Sequence, residues 1–99
     1  MADLLLTLHC AAADAEAIGD ALRAAFAVPV HLREERVLGS DFSDATTAER
    51  VTARLERRAI ELIVPQAREA EALALVEGVR REGPVRWHTC PILARGRFA

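Results

Sequence analysis

A shift of 54 residues lays this chain on itself. Leu6 and Leu8 land on Ile60 and Leu62, a pair of strand-spaced core residues. The helical set Ile18, Ala21, Leu22 and Ala25 lands on Ala72, Leu75, Val76 and Val79. One residue further along, Val30 and Leu32 fall on Val85 and Trp87. Two β-α-β halves within 99 residues predict an α+β fold. It is the split βαββαβ sandwich called ferredoxin-like: an antiparallel four-stranded sheet of order 4-1-3-2, with two helices on one face. The part with no counterpart, the polar stretch between the halves, becomes the candidate working part.

A chain of 99 residues is read as one domain over 1–99. Its hydrophobic content is 52%, but 20 of those residues are Ala, so large core side chains are few. Oligomerisation would supplement such a core. The net charge of −2 leaves no basic field for nucleic acid. Four aromatic residues are too few for a base-stacking platform. All 13 cations are Arg. No apolar run approaches the ~18 residues a membrane span needs, and Leu4–Leu8 carries no basic leader. The expected setting is cytoplasmic and reducing, with Cys10 and Cys90 as free thiols.

Leu4–Cys10 reads as strand 1. Asp14 is the expected N-cap of helix 1, which runs to Phe26, with Gly19 marking a close approach or nothing at all. Val28–Val37 reads as strand 2, an edge strand because of Pro29. Strand 3 is expected over Arg58–Val64. Pro65 then opens helix 2, and Arg80 and Arg81 close it before Gly83 and Pro84. Strand 4 is Val85–Leu93. Between strands 2 and 3, the Ser-, Asp- and Thr-rich stretch at about 39–57 reads as a mobile loop, a length that usually marks function or disorder. For its second half the alternatives are a short helical turn capped by Thr46 or Thr47, or an outward continuation of strand 3.

Strand alternation sorts the side chains onto two faces. Leu4, Leu6, Leu8, Val30, Leu32, Ile60, Leu62, Val85 and Trp87 form the apolar set the helices should cover. The opposite parity holds all three histidines, His9, His31 and His88, together with Glu35, Glu61 and Cys90. His9 and His88 should be neighbours, with His31 two strands from His9, about 10 Å away. Imidazoles with Cys90 or Glu61 would suit a borderline-soft metal such as copper or zinc. The alternative is a polar face whose histidines hydrogen-bond across a subunit contact.

Arg54, Arg57 and Arg58, with Arg50 nearby and Arg95 and Arg97 in the tail, form a second set. Their guanidinium forks suit phosphate or carboxylate groups, as in an adenine nucleotide. The alternative is a solvated edge paired with Glu34, Glu35, Glu49 and Glu56. Enzymatic motifs are missing: no nucleophile elbow, no P-loop, no GxGxxG, and no third group to orient a Cys-His pair. The chain is therefore not read as an enzyme.

Leu4 to Cys10, Ala48 to Arg54 running into Arg57 and Arg58, the strand after them, and Pro91 to Arg97 resemble the PII-like superfamily and, within it, the short bacterial proteins grouped as domain of unknown function 3240. The resemblance implies a compact homotrimer with the sheets inside, and ligands in clefts between subunits that reset a loop corresponding to 39–57. It also implies a regulatory role beside a membrane transporter such as a heavy-metal efflux pump. The chain lacks a Tyr and a Lys- and Gly-rich phosphate loop, which departs from the nitrogen-signalling members. Three expectations follow: a metal sensor, an adenine-nucleotide or other anion sensor, and a trimeric adaptor that needs no ligand.

Overall fold

The structure is a computed structural model that describes residues 2–38, 55–81 and 83–99. Among the described residues, four strands and two helices follow the expected order: β1 (Asp3–Ala11), α1 (Ala12–Phe26), β2 (His31–Val37), β3 (Leu55–Pro65), α2 (Glu69–Val79) and β4 (Arg86–Ile92). The sheet is antiparallel in the order β2-β3-β1-β4, as the repeat predicts. Leu6 pairs with Leu62 and Leu8 with Ile60, so the repeated core positions sit directly opposite one another at the centre of the sheet.

Burial explains the alternation. Leu4, Leu6, Leu8 and Cys10 of β1 and Ile60, Leu62 and Val64 of β3 are buried under the helices. Ile18, Leu22 and Phe26 of α1 and Ala72 and Val76 of α2 close that layer. Each such large apolar side chain stabilises the fold by roughly 1.5–3 kcal/mol. A methyl added at Gly19 would lie 3.4 Å from Leu32 Cδ2, an ordinary van der Waals contact, so packing does not demand the glycine.

Arg68 ties the two halves together. Its guanidinium lies 4.1 Å over the ring of Phe26, donates to the Ala25 carbonyl at 3.2 Å and holds Glu71 through two nitrogens. A cation on the last carbonyls of α1 also matches the negative end of that helix.

Strand β2 begins at His31 rather than Val28, and the structure differs from expectation in four further places. Asp14 does not cap α1, because the helix already begins at Ala12. Instead it is 1% exposed and accepts the backbone N–H of Arg81 at 2.8 Å. Helix α2 starts later than Pro65, because Gln66–Arg68 forms a tighter 3-10 turn, and it ends at Val79. Strand β3 begins at Leu55, so the end of the stretch read as loop is strand, with Glu35 opposite Arg57 and Arg36 opposite Glu56. Opposite charges across the pair favour continuing the ladder. The rest of that loop, 39–54, lies outside the described residues.

Trp87 is the fourth. It belongs by parity to the helix side, yet it is 50% exposed, and Leu32 on the other edge is 47% exposed. The helices sit over the central strands β1 and β3, which leaves both edges partly uncovered. The indole lines a groove of about 490 Å³ with Leu73, Val76 and Val85.

Asp14→Ala should cost about 1–3 kcal/mol by stranding the Arg81 N–H where Asp14 now accepts it. Urea denaturation of the variant and parent would show the loss as a lower midpoint at unchanged slope.

Candidate functional site

No element among the described residues covers the second face of the sheet. Its side chains are set by register. His31, Glu61, Thr7 and His88 form one row across all four strands. Arg33, Ala59, His9 and Arg86 form the next. Leu5 stands between Ile63 and Cys90 toward one end, and Glu35 faces Arg57 toward the other.

Ala59 opens the centre of this face. Having only a methyl, it lets His9 reach across β3, and His9 Nδ1–H donates to Glu35 Oε2 at 2.5 Å. On its other side His9 stacks on His88, with ring centroids 5.7 Å apart and planes 23° from parallel. A carboxylate on one ring nitrogen sets tautomer and orientation and leaves Nε2 as the acceptor. In the next row, Arg33 donates to Glu61, and Thr7 Oγ1 donates to the same carboxylate at 3.3 Å. The Arg33 hydrogen bond is the main cause holding the Glu61 carboxyl below its ordinary range.

The four residues expected to form a metal set do not all meet within one chain. His9 and His88 are in contact. Cys90 lies two residues along β4 from His88, exposed. His31 is three strands from His88, about 14 Å away at the usual strand spacing. Among the described residues, no three His, Cys, Asp or Glu side chains converge as a metal site.

The arginines are also spread out. Arg57 is 4% exposed on the open face. Arg58, its neighbour along the strand, points to the helix side, donates to the Arg57 carbonyl at 3.1 Å and lies 3.6 Å from Glu34. Arg95 donates through Nε to Asp3 at 3.1 Å. Arg97 lies in the exposed tail. The stretch of β3 from Arg57 to Pro65, roughly 25 Å, separates Arg57 from the Arg95 end, and Arg54 lies outside the described residues.

Sequence reasoning placed all three histidines on one face and paired His9 with His88. It missed Glu35 as the partner of His9 because that contact is diagonal and depends on the small Ala59. It missed Asp14 because an acid in a first turn reads as a cap.

The fold is similar to that of a DUF3240 family protein from Shewanella baltica OS155. The TM-score is 0.78 at 20% identity, over 98% of this chain and 97% of that one. A functionally unknown protein from Pediococcus pentosaceus ATCC 25745 matches with a TM-score of 0.70 at 13% identity, over 99% of both chains. A Bacillus cereus protein related to NIF3 matches with a TM-score of 0.73 at 14% identity, over 97% of this chain but 26% of that one. At these identities the likeness establishes the fold. No protein-family model and no curated protein matches the chain.

The two thiols differ sharply. Cys10 is fully buried, with Sγ 3.8 Å from the Arg58 carbonyl. Burial, helped by the nearby Asp14 carboxylate, pushes its pKa from 9.0 to about 11. It is therefore a thiol at neutral pH and a poor nucleophile or metal ligand. Between pH 9 and 11 the folded chain holds a proton that the unfolded chain has released. The associated stability is complete below the unfolded value of 9.0 and is lost as pH rises through about 11. The chain has no Lys and no Tyr to titrate in that window. In a Cys90→Ser background, urea midpoints should fall from pH 9 to 11, and Cys10→Ala should flatten that fall.

Proposed function

We propose that this chain is a non-catalytic, cytoplasmic regulatory protein of PII-like type that assembles as a homotrimer through its open sheet face. It senses a small ligand at the contact between copies and signals through the 39–57 segment. One observation carries this reading. Over the rows from Leu5 to His9 one face of the sheet has no cover from the chain's described elements, yet it bears half-buried Leu5 and Ile63 and an aligned imidazole pair rather than a uniformly charged surface. The likeness in fold to the DUF3240 family protein over nearly all of both chains supports it.

The ligand favoured by the geometry is a divalent metal such as copper or zinc. Glu35 orients His9 as an outer carboxylate orients a metal-ligating imidazole, and His88 lies against it. Two imidazoles are an incomplete donor set. A second copy would complete it, with His31 or Cys90 as donors. Association with a metal-efflux transporter fits the same reading. Arginine recognition of an adenine nucleotide would need Arg57 and Arg58 of one copy to meet Arg95 and Arg97 of another.

Two measurements test this. Thermal unfolding of tag-free, chelator-stripped protein is read against divalent metals and adenine nucleotides. Saturating copper or zinc should raise the melting point, on the order of 10 °C at a hundredfold excess over Kd, and His88→Ala should abolish the rise. A shift with nucleotide alone would favour the anion sensor. No shift with either would leave the adaptor. Separately, Cys90 lies on the open face, so its alkylation should slow as protein concentration rises through the association range. A rate independent of concentration, with a monomeric mass in sedimentation, would defeat assembly through this face.

A further inference from the structure

Toward the end of the open face away from Glu35, the start of β2, the middle of β3 and the tail enclose a cavity of about 300 Å³. Leu5, Ile63, Val28 and Pro29 supply an apolar wall. His31, Glu61 and Arg95 line it with polar groups. A mostly apolar hollow with a few convergent polar groups has the make-up of a small-molecule site, and this volume lies at the small end of the usual range.

The polar groups are already positioned. Arg95 is anchored by its Nε to Asp3, and among the described residues its two terminal nitrogens make no further bond. That leaves a planar fork of the kind that takes a carboxylate. Glu61 is held by Arg33 and Thr7, which fix the carboxylate without using all its acceptor positions. Its ionised form is favoured, chiefly by the Arg33 hydrogen bond.

We infer that this cavity binds a small aliphatic α-amino acid, its carboxylate on Arg95, its ammonium on Glu61 and its side chain against Leu5 and Ile63. The zwitterion matches the site where simpler molecules do not. An aliphatic acid would satisfy Arg95 but bring a negative charge beside Glu61. An aliphatic amine would satisfy Glu61 and leave Arg95 unused. A polar side chain would lose its hydration against Leu5, Ile63, Val28 and Pro29. The site goes beyond the metal reading, since it uses neither His9 nor His88.

Calorimetry of the full chain with L-leucine, isovalerate and isoamylamine tests it. L-leucine should bind with a measurable Kd, and each half-ligand should bind at least about tenfold more weakly, the scale of one lost charge-assisted contact. Arg95→Gln, in an exposed tail where folding is not at stake, should weaken L-leucine by a similar factor. Ile63→Trp, with circular dichroism confirming the fold, should block it. No heat with L-leucine overturns the inference. So does isovalerate binding as tightly as L-leucine, or Arg95→Gln binding it undiminished. Failure here with an intact copper or zinc response through His88 removes this site alone. Loss of that metal response with L-leucine still bound removes the metal reading alone.

Discussion

Register between β1 and β3 is the constraint on which the rest of this structure depends. Leu6 against Leu62 and Leu8 against Ile60 place the largest buried side chains on the helix side. The period of two then leaves Thr7, His9, Glu61 and Ala59 on the other side. A slip of one residue would drive His9 and Glu61 into the apolar layer and turn Leu8 and Ile60 out. The same pairing that builds the core therefore assembles the polar face, and neither can be altered without the other. Both helices take the apolar side, so what happens on the open side is decided by what else can cover it.

Much of this was legible because it is periodic. Leu6 and Leu8 mapping onto Ile60 and Leu62 is a local pattern, and it led to strand order and to the common face of the histidines. Features that depend on lateral position were not legible. Trp87 has core parity, but parity says nothing about whether a helix reaches the sheet edge, and α1 and α2 stay over β1 and β3. Glu35 contacts His9 only because Ala59 between them is short. Asp14 is spent on a backbone N–H contributed 67 residues later in the chain. Where β3 starts was open between loop and an outward continuation of the strand, and the partners of Glu56 and Arg57 across the ladder, Arg36 and Glu35, decide for the strand.

The arginines show how far composition can mislead. Thirteen Arg and no Lys invite an anion site. Several are instead committed locally: Arg68 to Glu71 and Ala25, Arg80 to Glu77 and the Gly83 carbonyl, Arg58 to Glu34. Exposed pairs of this kind add little to stability because solvent screens them, so their value lies more in holding loops and helix ends. Arg95 differs. One edge of its guanidinium is fixed by Asp3 and the other faces a hollow with apolar walls. Pre-positioning of that sort lowers the cost of ordering a side chain around a ligand.

The two candidate sites on the open face then have a physical relation under the proposed function. His9 and His88 stand on β1 and β4, and the Arg95 cavity lies toward β2 and β3, with His31 and Glu61 in the same row as His88, on a single sheet. A ligand held between copies binds only the assembled state, so its free energy adds to association by mass action. Linkage makes the effect reciprocal: a metal held between copies favours assembly, and assembly tightens whatever else binds across the same contact. A four-stranded sheet with one face left open by the described elements suits this, because its polar rows can gain neighbours from a second copy. The coupling is limited by the difference in affinity between free and assembled chains. Side chains such as Glu35 and Asp3, which set the geometry of His9 and Arg95 before any partner arrives, are therefore the positions through which its strength would be tuned.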